Sequence, residues 1–205
     1  MPENKTSIKR TGTKQKILKV STALFSELGY KGASVRKIAK NVGIRESAIY
    51  NHYKNKEEIF LEVAKNIFAS PFSSKDENIK ESALKGKVFL QKFTMQYKLL
   101  TFDKNNENMF RLLMIELFAN KELREQFMNE FHNENIKMLS EAFFIMMQNN
   151  LIRSGDPMMV AYEFLSTLFY IRLQITLMRF DKESTNTLST QFEKHLEFFW
   201  ESIRI

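Results

Sequence analysis

Apolar positions recur along most of the chain at intervals of three and four residues, the spacing of one face of a helix. In KQKILKVSTALFSELGY, after Thr13, the residues Ile17, Ser21, Leu24, Phe25 and Leu28 share a face and Gly29 closes the run. Val35, Ile38, Ala39 and Val42 make a shorter stripe behind Ser34, a side chain suited to cap a helix start. Gly43 follows at once, where a left-handed residue ends one helix and turns the chain. Ile44, Ala48 and Ile49 face back toward that helix, which leaves Arg45, Ser47, Tyr50, Asn51 and His52 pointing outward. A small Ala39, a turning Gly43 and an apolar Ile49 are what two steeply crossing helices require. This is the helix-turn-helix pattern, whose second helix enters the major groove of DNA. A further helix opens at Lys56, with Ile59, Phe60, Val63, Ala64, Ile67 and Phe68 on a wide face; Pro71 ends it, and SSKDENIKE is a polar joint.

Beyond the joint the spacing predicts five more helices, at roughly 78–102, 106–119, 121–150, 157–180 and 187–203. Asp156-Pro157 is a strong start signal, a capping Asp before Pro at the first helical position. Long helices with short connections form a bundle. On the last one Leu188, Phe192, Leu196, Phe199 and Ile203 make a stripe flanked by Phe198 and Trp200. That is more apolar surface than a single-layer bundle needs: either these helices are central to the core, or they form a subunit interface, the reading we favour. The expected fold is all-α, a three-helix N-terminal helix-turn-helix domain plus a C-terminal helical bundle with the last two helices dimerising. Residues 1–56 would be a basic arm (1–12) and the DNA-binding head, 56–70 a linking helix, and 71–205 a ligand-binding and dimerisation domain.

Charge sharpens this division. Residues 1–56 hold 13 Lys/Arg against Glu3, Glu27 and Glu46, a net of +10, while the remainder carries 18 Lys/Arg against 21 Asp/Glu, a net of −3. A basic head on a slightly acidic body points to a polyanion as the partner of the head. The chain has no cysteine, so a disulfide framework and a thiolate metal site are both excluded. MPENKTSIKRTGTKQK lacks the apolar core of a signal peptide, and the apolar run Pro157–Phe180 is interrupted by Glu163, Arg172, Gln174 and Arg179. Cytoplasmic location without a membrane partner is therefore expected.

The stretch LFSELGYKGASVRKIAKNVGIRESAIYNHYKNKEEIF resembles the DNA-binding domain of the TetR/AcrR family of bacterial regulators. The likeness covers about residues 13–62; the remainder resembles the family only in helical layout. The resemblance implies a homodimer on a palindromic operator in double-stranded DNA, acting in the cytoplasm at the nucleoid. Most such proteins are repressors released by a small ligand. It also implies that Tyr50, Asn51 and His52 touch bases or backbone, that Lys56 binds phosphate, and that Ser34 both caps its helix and touches phosphate. Tyr53 matches an aromatic core position. The chain departs from the family at Arg45-Glu46-Ser47-Ala48, where many members have Ser-x-Gly-Thr. Arg45 can grip a guanine edge bidentately and Ala48 can meet a thymine methyl, while Ser47 faces outward between them. Glu46 can accept from cytosine, although a carboxylate there also serves as an ordinary helix-start charge.

Eighteen of the 19 Phe lie beyond residue 56, and ten of the 11 Met lie between Met95 and Met178. Such a region suits a large lipophilic pocket lined by Phe93, Tyr97, Phe110, Met114, Phe131, Phe143 and Tyr170, or simply a core. Charged and polar residues inside apolar runs discriminate better. Glu116 is suited to anchor a cationic ligand and Arg172 an anionic one such as a fatty-acid carboxylate, with Gln174 a further polar candidate in the same apolar run; a protein ion pair is an equal alternative. His52, His132 and His195 are isolated, and no spacing suggests a metal site, cofactor site or catalytic constellation. The expectation is a non-enzymatic, ligand-responsive regulator without cofactor. The rivals are a DNA-binding member without inducer, acting as an architectural protein or activator, and a helical lipid carrier or enzyme.

Overall fold

The computed structural model describes residues 4–68 and 78–205, and the side chains of these other than 4–11, 66, 68 and 130–132. The expected stop at Pro71, the joint up to residue 77 and the side chains of Phe68 and Phe131 lie outside the described residues. The described elements are helical, with no strand among them. They are α1 (Asn4–Gly32), α2 (Val35–Val42), α3 (Glu46–Ile49), α4 (Lys56–Phe68), α5 (Ile79–Ala83), α6 (Lys87–Phe102), α7 (Lys104–Leu117) and α8 (Lys121–Gln126). A π-helical turn, Phe127–Asn133, leads into α9 (Glu134–Gln148), followed by α10 (Pro157–Phe180), α11 (Asn186–Ser189) and α12 (Gln191–Ile203). No helix among the described residues is long and apolar enough to cross a membrane.

Local chemistry sets most boundaries. Ser34 sits in extended geometry and its side chain accepts from the backbone N–H of Lys37 (3.2 Å), capping α2 as expected. At the other end Gly43 has φ 81°, and its N–H donates to the carbonyls of Ala39 and Lys40. Asp156 caps α10 by accepting from Met158 (2.8 Å) and Met159 (3.3 Å), with Pro157 in the first turn. Ser34→Ala should cost about 1 kcal/mol of stability, the usual worth of such a cap, read as a lower denaturation midpoint with unchanged slope.

Several boundaries differ from the expectation. Helix α1 starts at Asn4, so residues expected as an arm are helical, and Gly29 kinks the helix (φ 71°) rather than ending it. Nothing in KTSIKRT terminates a helix, and three further residues beyond Gly29 reach Gly32. The helix expected over 78–102 is broken at Gly86, which has φ 54° and separates α5 from α6. A Cβ at Gly86 would meet the Trp200 ring at 3.2 Å, so both backbone angle and space call for glycine there. The helix expected over 121–150 is interrupted by the π-helical turn.

The chain forms two compact units. The first takes the chain up to Phe68 together with Lys104–Phe127; the second takes the rest. In the first unit α1 packs on α2, α4 and α7, and α8 packs on α4 and α7. Its core includes Ile17, Phe25, Ile38, Ile49, Tyr53, Phe60, Phe110 and Leu113, all fully or almost fully buried. The apolar face of α7 (Met109, Phe110, Leu113) is what draws it to this unit. In the second unit α10 packs on α9, α6 and α12, around Phe93, Phe143, Phe164 and Phe192.

Candidate nucleic-acid interface and effector site

The turn between α2 and α3 places one short helix across another. The Ile44 N–H also donates to Ala39 (3.0 Å), closing α2, and Arg45 begins α3 in extended geometry. Arg45 offers no side-chain cap, which the missing hydroxyl at that position predicts. Regular helix runs only from Glu46 to Ile49, and hydrogen bonds from His52 and Tyr53 to the Ile49 carbonyl carry the turn onward. Ile49 and Tyr53 are buried, which fixes the outer face. Arg45, Glu46, Ser47, Asn51 and Ser34 are exposed, Tyr50 is 53% exposed, and Ala48 and His52 are half-buried. Of the row expected to point outward, Arg45, Ser47, Tyr50 and Asn51 are thus exposed to solvent, and His52 is half-buried.

Lys56 is held in place. Its Nζ donates to the Tyr30 carbonyl (2.8 Å) and lies 4.1 Å above the Tyr30 ring. That hydrogen bond uses one of three ammonium donors. The Tyr30 ring in turn lies against Phe60 (4.8 Å) and Phe25 (5.9 Å). Burial raises the Tyr30 pKa, with Glu57 and Glu116 adding to the effect, so the phenol stays neutral. Burial likewise raises the Tyr53 pKa, with Glu62 and Glu58 adding to the effect. Lys14 bonds Glu62 (2.8 Å) and lies over the Tyr53 ring (5.2 Å), tying α1 to α4.

The ten effector candidates separate. Phe110, Met114 and Glu116 stand on α7 in the first unit, where Phe110 is buried and the other two half-buried. Phe93, Tyr97, Phe143 and Arg172 are buried together in the second unit. Phe93 stacks on Tyr97 (6.2 Å between centroids), and Phe164 links Phe93 (5.9 Å) to Phe143 (6.1 Å). Arg172 is only 3% exposed, with its guanidinium 5.8 Å from the centre of the Tyr97 ring. Burial lowers the Arg172 pKa, and Tyr97 opposes that shift. Burial pushes Tyr97 up to about 12, less than burial alone would because Arg172 stands beside it.

Tyr170 and Gln174 do not join this interior group. They line an open groove of about 530 Å³ with Thr167, Leu188, Lys194 and Phe198, on the opposite side of α10 from Arg172. The reason is helical geometry: positions two apart on a helix point about 200° apart, so Arg172 cannot share a face with either neighbour. Phe131 belongs to the π-helical turn, and its side chain is outside the described residues. Among the described residues no cluster of three His, Asp or Glu could hold a metal. Sequence reasoning passed over Asn120 and Gln126, which bind α4 by hydrogen bonds. Asn120 ahead of Lys-Glu-Leu carried only a helix-start signal.

A capped helix, a left-handed glycine and a second helix with a polar outer row, seated on a long scaffold helix, define a helix-turn-helix protein of the DNA-reading class. The sequence profile of bacterial regulatory proteins of the tetR family matches residues 17–63. Over that segment the chain is similar to the DNA-binding domain of TetR-family transcriptional regulators. Among relatives, the negative transcriptional regulator of the biofilm operon icaADBC in Staphylococcus epidermidis is 44% identical over 55 residues, 27% of this chain and 30% of that protein. The fatty acid metabolism regulator protein of Bacillus subtilis is 27% identical over 139 residues, 68% of this chain and 70% of that protein. The likeness to the first thus spans less than a third of its length. Among solved structures, the regulator FadR from Bacillus subtilis in complex with stearoyl-CoA superimposes with a TM-score of 0.70 at 23% identity. The superposition covers 93% of this chain and 99% of that one, a likeness of fold.

Proposed function

We propose that the chain is a homodimeric repressor that binds a palindromic operator and is released by a small lipophilic ligand. The observation that carries this reading is the outward row Arg45, Ser47, Tyr50 and Asn51 on the second helix of a helix-turn-helix in a strongly basic segment. Ala48 and His52 complete the base-facing side, while Ser34 and Lys56 serve phosphates on either flank. Residues 1–56 act as the DNA head, α4 as its link, and the remainder provides effector binding and dimerisation. The site of action is the nucleoid.

The dimer reading is supported by the outer face of α10 and α12. Phe198 is 77% exposed there, and Met159, Tyr170 and Leu177 are exposed as well. Open grooves of about 530 Å³ lie on both sides of Phe198. On two half-sites one turn of DNA apart, the recognition helices of the dimer would lie about 34–36 Å apart. The effector reading is supported by the buried aromatic interior of the second unit with Arg172 beside Tyr97, which suits an acid-headed lipophile. The structural neighbour that holds stearoyl-CoA fits the same chemistry. Effector and DNA would then oppose each other reciprocally, each lowering the affinity of the other by the same factor.

The test is a salt titration of the full chain on a duplex it has itself selected from a random-sequence library. Affinity should fall by about a thousandfold or more between roughly 50 and 200 mM salt, and Lys56→Ala should flatten the slope by about one. Absent or salt-insensitive duplex binding overturns the reading.

A further inference from the structure

Two side chains of α8 hold α4 from outside its apolar face. Asn120 stands at the corner after α7, where its Oδ1 accepts from the Leu123 N–H (2.9 Å) and caps α8. Its Nδ2 donates to Oε1 of Glu57 (2.8 Å), the residue next to Lys56. One helical turn along α4, Gln126 donates from Nε2 to the Leu61 carbonyl (2.9 Å). The N-cap and the last residue of α8 thus grip α4 at points four residues apart. Arg124 braces the corner, donating to the carbonyls of Leu117 (3.2 Å) and Phe118 (2.9 Å) at the end of α7.

At the far end of α8, Gln126 Oε1 is buried without a hydrogen-bond partner among the described residues, which is costly for a polar atom. The chain enters the π-helical turn at the very next residue, Phe127. Such wide turns are rare and frequently sit at functional sites.

We propose that Asn120 and Gln126 are positioning residues for DNA binding: they form a latch through which α8 sets where α4 presents Lys56. The latch rests on the reading of Lys56 as a phosphate contact. It goes beyond that reading by assigning control of the contact to residues that touch no DNA.

The experiment is a mutant cycle on the duplex selected by the full wild-type chain. Asn120→Asp keeps a good helix cap but sets two carboxylates against each other at Glu57. Glu57→Gln then restores the bond with donor and acceptor exchanged. Asn120→Asp alone should weaken binding about tenfold, the worth of a hydrogen bond to a charged group. The double variant should return to within about threefold of Glu57→Gln alone, since a single coupled contact is repaired. The added charge at 120 is the same in both backgrounds, so it cannot produce the rescue. Gln126→Met, which keeps the stem and removes the donor, should also weaken binding, and both losses should vanish in a Lys56→Ala background. A role confined to holding the fold would lower the thermal midpoint and leave the losses additive with Lys56→Ala, which overturns the proposal. So does an equal cost of Asn120→Asp with Glu or Gln at 57, or no cost. A wild-type chain that recovers no duplex from the library overturns the DNA-binding reading, and the latch with it.

Discussion

Replacing Phe164 with alanine should lower the stability of the second unit by about 3–5 kcal/mol, the range for deleting a fully enclosed phenylalanine ring. Phe164 is completely buried on α10. Its ring meets those of Phe93 (5.9 Å), Phe143 (6.1 Å), Phe199 (4.9 Å) and His195 (5.5 Å), side chains from α6, α9 and α12. One side chain therefore joins four helices, and its neighbours are rigid rings that cannot collapse into the space it leaves. His195 adds a polar tie, its Nε2 lying 3.1 Å from the Phe164 carbonyl, and burial keeps that imidazole below its ordinary pKa. Urea unfolding followed by circular dichroism would measure the loss. A cost under about 1 kcal/mol would mean that the interior closes over the gap, and that the ring network contributes little beyond ordinary packing.

Arg45→Ala should weaken binding to the selected duplex by about 1–3 kcal/mol and relax base preference at one position, the signature of a bidentate arginine–guanine contact. Arg45 is exposed at the head of α3 and takes no part in capping it, so its loss should leave the fold intact. Repeating the library selection with the variant would separate the outcomes. If every sequence weakens equally, Arg45 grips phosphate, and operator preference then lies with Tyr50, Asn51 and Ser47. A variant that binds as tightly as wild type removes Arg45 from the interface altogether.

What the sequence revealed and what it concealed divide along a physical line. Ser34, Gly43 and Asp156-Pro157 act within one helical turn, through hydrogen bonds and backbone angles that depend on immediate neighbours, and the structure shows each doing so. The outward row of α3 followed from the apolar positions Ile44, Ala48 and Ile49 facing the other way, and Ile49 is buried. By contrast, glycine inside a helical pattern costs only about 1 kcal/mol, so Gly86 gave no reason to expect a break until Trp200 is seen against it. The π-helical turn, FMNEFHN, holds no Gly or Pro to mark it. The placing of α7, with Glu116, in the first unit is a matter of which faces meet. Periodicity says that a face is apolar, never what it packs on.

The contact between Gly86 and Trp200 has a practical consequence. Trp200 is the sole tryptophan of the chain and lies on α12, beside Phe199 in the core and Phe198 on the outer face. Its indole abuts the backbone turn between α5 and α6. The chain thus carries its own fluorophore at a seam of the second unit. Excited past the tyrosine band, its emission would report any opening of that seam, by effector or by self-association, without a label.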